Sequence, residues 1–239
     1  MPRIYVPAKG PDQWQALLVN PDRHWKEGFS AWALACTWHA ADGFPASVER
    51  VLCNRIELRD IEVLLVLPEH QVALPGGPRP TQADAWVLAR CSGGLVSMTV
   101  EGKVTEPFGP TVGDWLSRGS AGKRQRLAEI ARLLGLGDSL PADVRYQLLH
   151  RTAAAVLEAR RFGARIAVML VHAFGPAQPN RADYDEFVRL FRPRGAQGGL
   201  TWVEPRAGVD LYFAWVQDEL PFAATAALPA KMRCDDGVR

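Results

Sequence analysis

Two apolar runs, AWVLARC (85–91) and LVSMTVEGKV (95–104), flank Ser92-Gly93-Gly94. Strand-like segments on either side of a glycine-rich break of this length form an antiparallel hairpin. A hairpin this apolar must be part of a larger sheet, because two strands alone cannot bury such surface. Further strands are predicted nearby. IEVLLVLPEHQVAL, from Ile61, has β-branched and leucine-rich character and ends at the PGGPRP loop of residues 75–80. RIAVMLVHAFG is short and almost wholly apolar, the pattern of a strand buried on both faces, and GVDLYFAWVQDEL reads as a last strand.

The remaining segments carry helical spacing. PDQWQALLVN offers Asp12 as a cap, SAWALACTWHAADGF opens on Ser30 and runs to Gly43, and PASVERVLCNR follows Pro45. After Thr111 come VGDWLSR, then AGKRQRLAEIARLLGLG, stopped by Gly135 or Gly137, then PADVRYQLLHRTAAAVLEARRFG, opened by Pro141 and spanning 141–161. ADYDEFVRLF is another helix, and FRPRGAQGGLTW reads as a basic, glycine-rich loop. The order is helices, strand, hairpin, helices, strand, helix, strand: an α/β chain whose mixed central sheet is covered by helices. At 239 residues it makes one domain, with its core over about residues 30–217 and a loose tail from about Pro221.

Composition narrows the function. A formal charge of +2 rules out a chain that binds nucleic acid through bulk positive charge, though not a local basic groove. Lys9, Lys26, Lys103, Lys123 and Lys231 are the only lysines among 28 basic residues, so each lysine draws notice. Cys36, Cys53, Cys91 and Cys234 lack CxxC spacing, and no zinc or disulfide framework is expected. The longest apolar run, Ile166 to Val171, is too short to span a bilayer. A cytoplasmic protein with no membrane partner is expected. RGSAGKRQR is not a phosphate-binding loop, because Arg124 follows Lys123 where Ser or Thr is required.

The hairpin also carries charge. With its turn near Gly93, pairing sets Asp84 opposite Glu101 or Gly102, and Glu101 and Lys103 share one face of their strand. Two carboxylates and an ammonium therefore meet at one strand end. Adjacent carboxylates repel unless one is protonated or a cation lies between them, and hard oxygen donors suit Mg²⁺ or Mn²⁺. A neighbouring lysine polarises water or stabilises charge on a phosphate.

Asp84 followed by Glu101-Gly102-Lys103 at the end of the next strand resembles the PD-(D/E)xK nuclease superfamily, in an uncharacterised bacterial branch of it. The resemblance implies a restriction-endonuclease-like αβββαβ core, here with extra N-terminal helices. It also implies Asp84 and Glu101 as ligands of Mg²⁺ or Mn²⁺, Lys103 as the residue that orients the attacking water, and nucleic acid, with DNA the expected form, as substrate. Gln147, sharing a helix face with Arg151 at i,i+4, is a further site candidate of this resemblance. The sequence departs from the family's pattern at Ala83, where proline is common. It departs again on the first core helix, where many members place a glutamate and this chain offers His39, with Glu49 on the next helix. Cleavage of both strands would suit a two-fold homodimer, whereas a nickase needs none.

Two other classes stand beside the nuclease. One is a catalytically inactive protein of the same fold that binds nucleic acid or protein. The other is an unrelated small-molecule enzyme or structural protein, whose pocket would lie around His70 or His150. His39 and His172 sit in apolar surroundings and read as core histidines.

Overall fold

A computed structural model describes residues 10–117, 119–137 and 139–221; the expected loose tail and Cys234 lie outside these residues. Helices α1 (Pro21–His24), α2 (Ser30–Ala40) and α3 (Ala46–Leu52) precede the strands β1 (Glu62–Val72), β2 (Thr81–Cys91) and β3 (Gly94–Lys103). Helices α4 (Val112–Ser117), α5 (Ala121–Leu133) and α6 (Tyr146–Phe162) follow, then β4 (Ile166–Phe174), α7 (Arg181–Arg189), β5 (Gly195–Gln197), β6 (Leu200–Trp202) and β7 (Asp210–Asp218). The strands form one open, mixed, seven-stranded sheet in the order β1-β2-β3-β4-β7-β6-β5. β1, β2 and β3 are an antiparallel meander, and β3, β4 and β7 run parallel. No helix of the described residues is long and apolar enough to cross a membrane.

The hairpin closes through Ser92-Gly93, with Cys91 opposite Gly94 and the ladder running to Ala85 opposite Val100. One residue beyond that last pair, Asp84 faces Glu101. The register predicted from the turn therefore holds.

Each face of the sheet has its own apolar core. On one side Trp14, Trp32, Leu34, Trp38, Val48 and Leu52 pack on Val87, Val96, Met98 and Val100. On the other, Leu148, Leu149, Val156 and Phe187 pack on Met169, Val171, Leu211 and Phe213. β4 is buried along its whole length and alternates between them, with Ile166, Val168 and Leu170 in the first core and Ala167, Met169 and Val171 in the second. Two-sided burial is why this strand carries a continuous apolar run.

β3 alternates differently. Val96, Met98 and Val100 enter the first core, while Ser97, Thr99, Glu101 and Lys103 form the opposite row. Ser97 Oγ donates to the Ala155 carbonyl of α6 at 3.0 Å, and Thr99 Oγ1 to the Arg151 carbonyl at 3.1 Å. Small side chains on both elements, Ala153 to Ala155 on the helix and Ser97 and Thr99 on the strand, permit this close approach. Two strand-to-helix hydrogen bonds in a dry interface fix the register of α6 over β3.

Four expectations need correction. Asp12 is not a cap, because the first short helix, a 3₁₀ turn over Pro11–Leu17, begins after Gly10 with no side-chain cap. Ser30 is the first residue of α2 rather than its cap, and its amide donates instead to Glu106 Oε1 at 2.9 Å. The helix predicted from Pro141 starts at Tyr146. The preceding backbone is drawn into pairing with the 110–113 segment, through Val112 N to the Val144 carbonyl, Gly113 N to the Ala142 carbonyl and Tyr146 N to the Pro110 carbonyl. Within the predicted loop FRPRGAQGGLTW, β5 and β6 form a hairpin whose turn is Gly198-Gly199. Both turn residues have positive φ, 55° and 89°, as a two-residue hairpin turn demands.

Candidate functional site

The end of β3 opens into a cleft of about 730 Å³ that is lined by Glu69, Asp84, Glu101, Lys103, Gln147 and Arg151 among others. The four sequence-predicted site residues, Asp84, Glu101, Lys103 and Gln147, thus meet in one cavity.

Glu101 is its hub. The side chain is 2% exposed, and its Oε1 accepts from Lys103 Nζ and from Gln147 Nε2, each at 2.6 Å. Its Oε2 accepts from Arg151 Nε at 2.6 Å. Burial on its own would raise the carboxyl's pKa, but the charges of Arg151 and Lys103 outweigh it and hold Glu101 down at about 2. Gln147 and Arg151 are four residues apart on the α6 face that Ser97 and Thr99 press against the sheet, so one helical turn delivers both.

Asp84 keeps 22% of its side chain exposed. Its Oδ2 accepts from the Gly102 amide at 2.8 Å, while its Oδ1 has a single long contact, 3.8 Å to Arg151 Nη2. Burial, reinforced by the Glu101 charge, pushes Asp84 up to about 6.

A third carboxylate was not found from sequence. Glu69 of β1 lies opposite Asp84, midway between the pairs Pro68–Ala85 and His70–Ala83. Its φ is +52° inside a strand, a conformation that costs a non-glycine residue about 1–3 kcal/mol and that concentrates at functional sites. Gln82 Nε2 donates to its Oε2 at 2.7 Å. Burial and the neighbouring Asp84 charge raise Glu69 to about 8. Only the pairing of β1 with β2 across the 73–80 loop brings it here, and no local spacing announces that.

Behind the carboxylates, Arg151 Nη1 donates to Thr81 Oγ1 at 2.6 Å, and that hydroxyl lies 2.7 Å from His150 Nδ1. The Thr81 hydroxyl thus joins the Arg151 guanidinium to the His150 ring. Burial and the Arg151 charge push the pKa of His150 well below the usual value, which keeps the ring neutral.

Other expected residues lie elsewhere. Neither His39 nor Glu49 lines the cleft. Glu49 is exposed on α3, and His39 Nδ1 is buried without a hydrogen-bond partner, so it is not the satisfied core histidine its setting implies. His172 is satisfied: Trp38 Nε1 donates to its Nδ1 at 3.1 Å and its Nε2 lies 2.9 Å from Asp218 Oδ2. His70 lies outside the cleft, 3.2 Å from Glu158 of α6, whereas His150 belongs to the carboxylate cleft itself.

The donor set suits a hard divalent cation in part. Asp84 Oδ1 is a carboxylate oxygen whose one cation contact is the 3.8 Å approach of Arg151, and burial first, then the neighbouring carboxylates, raises the pKa of both Asp84 and Glu69. Among the described residues, however, no three His, Cys, Asp or Glu side chains gather closely enough to form a metal cage. Mg²⁺ ordinarily takes one or two carboxylates and completes its shell with water and substrate phosphate; Asp84 Oδ1 is open to such an ion, whereas both oxygens of Glu101 already accept from Lys103, Gln147 and Arg151.

A family model for a domain of unknown function, DUF6946, matches residues 7–220. The chain belongs to the DUF6946 family. No curated protein and no solved structure matches it. The matched span takes in every strand of the sheet and the whole cleft, so Glu69, Asp84, Glu101, Lys103, Gln147 and Arg151 all fall within the DUF6946 domain.

Proposed function

We propose that this DUF6946 protein is a divalent-metal-dependent nuclease of the PD-(D/E)xK type. The observation that carries the reading is the meeting around one cleft of Asp84 near the start of β2, Glu101 and Lys103 at the end of β3, and Gln147 in the first turn of α6. The element order α2/α3, β1, β2, β3, α6, β4 also agrees with a restriction-endonuclease-like αβββαβ core.

In this reading Asp84 and Glu101 hold Mg²⁺ or Mn²⁺, which when bound supplies Lewis-acid stabilisation of the phosphate charge. Lys103, fixed through Glu101, orients and polarises the water that attacks phosphorus. Gln147 holds Glu101 in place, and Glu69 is a further acidic group beside Asp84. Nucleic acid, with DNA the expected form, is the substrate.

A second reading has its own observation. The Arg151 guanidinium is bonded to Glu101 at 2.6 Å and approaches Asp84 at 3.8 Å, so it lies against both groups that a metal would join. If that arrangement persists when nucleic acid binds, Arg151 and Lys103 neutralise the carboxylates permanently and the protein binds without hydrolysis.

The test is cleavage of plasmid and single-stranded DNA by the purified chain with Mg²⁺ or Mn²⁺, alongside Asp84→Asn and Lys103→Met. Metal-dependent cleavage reduced about 100-fold or more in both variants supports the nuclease. DNA binding without cleavage favours the second reading.

A further inference from the structure

The cleft has a second set of features at its mouth. Among the described residues the large hydrophobic side chains that stand exposed are Val19, Phe29, Ile56 and Phe162. Val19 and Phe29 both line the carboxylate cleft. Single exposed apolar residues need no explanation, but two at the mouth of a charged cleft do.

Phe29 is anchored at its backbone. Its amide donates to the Lys26 carbonyl and its own carbonyl accepts from Ala33, both at 3.0 Å, while the ring stays 40% exposed. It is also close to the chemistry. The next residue, Ser30, packs its carbonyl against Gly102, so tightly that a Cβ there would come within 3.3 Å. Gly102 stands between Glu101 and Lys103, so the backbone that bears the ring packs on the strand end that carries them, from the opposite face of the sheet, and the ring itself lines the cleft.

The same rim is cationic. Arg23 and His24 line the cleft and are exposed, and Lys26 Nζ lies 5.9 Å from the Phe29 ring centroid. An aromatic face, an aliphatic ledge at Val19, the exposed Arg23 and Lys26 cations and the His24 imidazole beside a phosphate-type site match the chemistry of single-stranded nucleic acid. There, bases stack on rings and backbone phosphates take the cations. A duplex keeps its base faces inside its own stack and must unstack before presenting one to Phe29.

We infer that the cleft takes a single-stranded segment of nucleic acid. One base stacks on Phe29, and a phosphate next to the one at Lys103, beside the carboxylates, lies on Arg23 and His24. This rests on the reading of the site as one that holds a phosphodiester. It adds the strandedness of the substrate and the residue that selects it.

The test uses the full chain in EDTA, with fluorescence anisotropy on labelled oligothymidine and on a blunt duplex, for wild type, Phe29→Ala, Phe29→Leu and Phe29→Trp. The expected result is tighter binding of the single strand by wild type. Phe29→Ala and Phe29→Leu then lose about tenfold or more on the single strand alone, and Phe29→Trp restores it. Should Phe29→Ala fail to fold, Phe29→Leu preserves bulk and still removes the stacking face. Preference for the duplex, binding of neither form, or single-strand affinity independent of Phe29 overturns the inference. A parallel Mg²⁺ cleavage assay separates the two proposals. Phe29-dependent binding without cleavage removes the nuclease and leaves this inference, whereas cleavage indifferent to Phe29 does the reverse.

Discussion

Glu101 accepts three hydrogen bonds on two oxygens, from two cations and an amide, in a pocket that leaves it 2% exposed. Replacing it with alanine strands Lys103 and Arg151 as buried charges, and the expected loss in chemical denaturation is about 3–5 kcal/mol. A loss below about 1 kcal/mol would mean that the triad is not formed. Glu69 behaves in the opposite sense. Its pKa of about 8 stands above the ordinary 4.5, so the folded protein keeps a proton that the unfolded chain releases. The stability this carries is complete below about pH 4.5 and is lost as pH rises through 8. For Glu101, held at about 2, the contribution is complete above about 4.5 and is lost as pH falls towards 2. Glu69→Gln should therefore flatten the decline in Tm between pH 5 and 9, and parallel wild-type and variant profiles would refute the assignment. The convergence of Asp84, Glu101 and Lys103 was legible in sequence because hairpin register and strand alternation are short-range rules, whereas Gln147 was a candidate through the family resemblance alone. Glu69 was not legible, since its place depends on the β1–β2 pairing and on a left-handed backbone angle that no residue pattern encodes.

The strand end and α2 are tied by Glu106. One carboxylate oxygen takes the Ser30 amide at 2.9 Å and the other the Val104 amide at 2.8 Å. Burial opposes ionisation, but these amide bonds prevail and lower the pKa below the ordinary 4.5. Glu106→Ala removes a remote helix cap and should cost about 1–2 kcal/mol, measured by urea denaturation at pH 7. Because this pKa is depressed, the wild-type advantage should shrink as pH falls below about 4.5; an advantage constant down to pH 3 would count against the carboxylate's role. Between Glu101 and Lys103, Gly102 lets α2 approach β3. Gly102→Val is expected to destabilise by roughly 1–3 kcal/mol through overpacking, and a variant as stable as wild type in urea would show that the helix yields freely. Most elements were readable from periodicity and glycine or proline breaks. The start of α6 was not, because residues 142–145 spend their backbone groups on the 110–113 segment, a partner some thirty residues distant. The β5–β6 hairpin was hidden by its length: three residues per strand are too few for alternation to register.

Across the molecule, a seven-stranded sheet with an apolar core on each face holds the cleft where β2, β3 and α6 meet. The cleft's carboxylates are braced from beneath by β strands and from above by one helix, so the site is built on rigid elements rather than on loops. Its charge is unevenly shared: Arg151 and Lys103 compensate Glu101, while Asp84, beside a Glu69 that ionises only near pH 8, has no cation closer than the 3.8 Å contact with Arg151. That imbalance is what a divalent ion would correct. In the proposed nuclease it separates hydrolysis from binding alone, because there the bound ion is what would stabilise the phosphate charge. The most direct measurement is a calorimetric titration of the full chain with Mn²⁺ at pH 8.5, beside Asp84→Asn, a variant that keeps the Glu101 triad and the fold intact. Saturable binding by wild type that disappears in Asp84→Asn is the expected result. No heat from wild type, or equal binding by both proteins, would contradict a metal-dependent site and leave Arg151 as the cation that the cleft was built to hold.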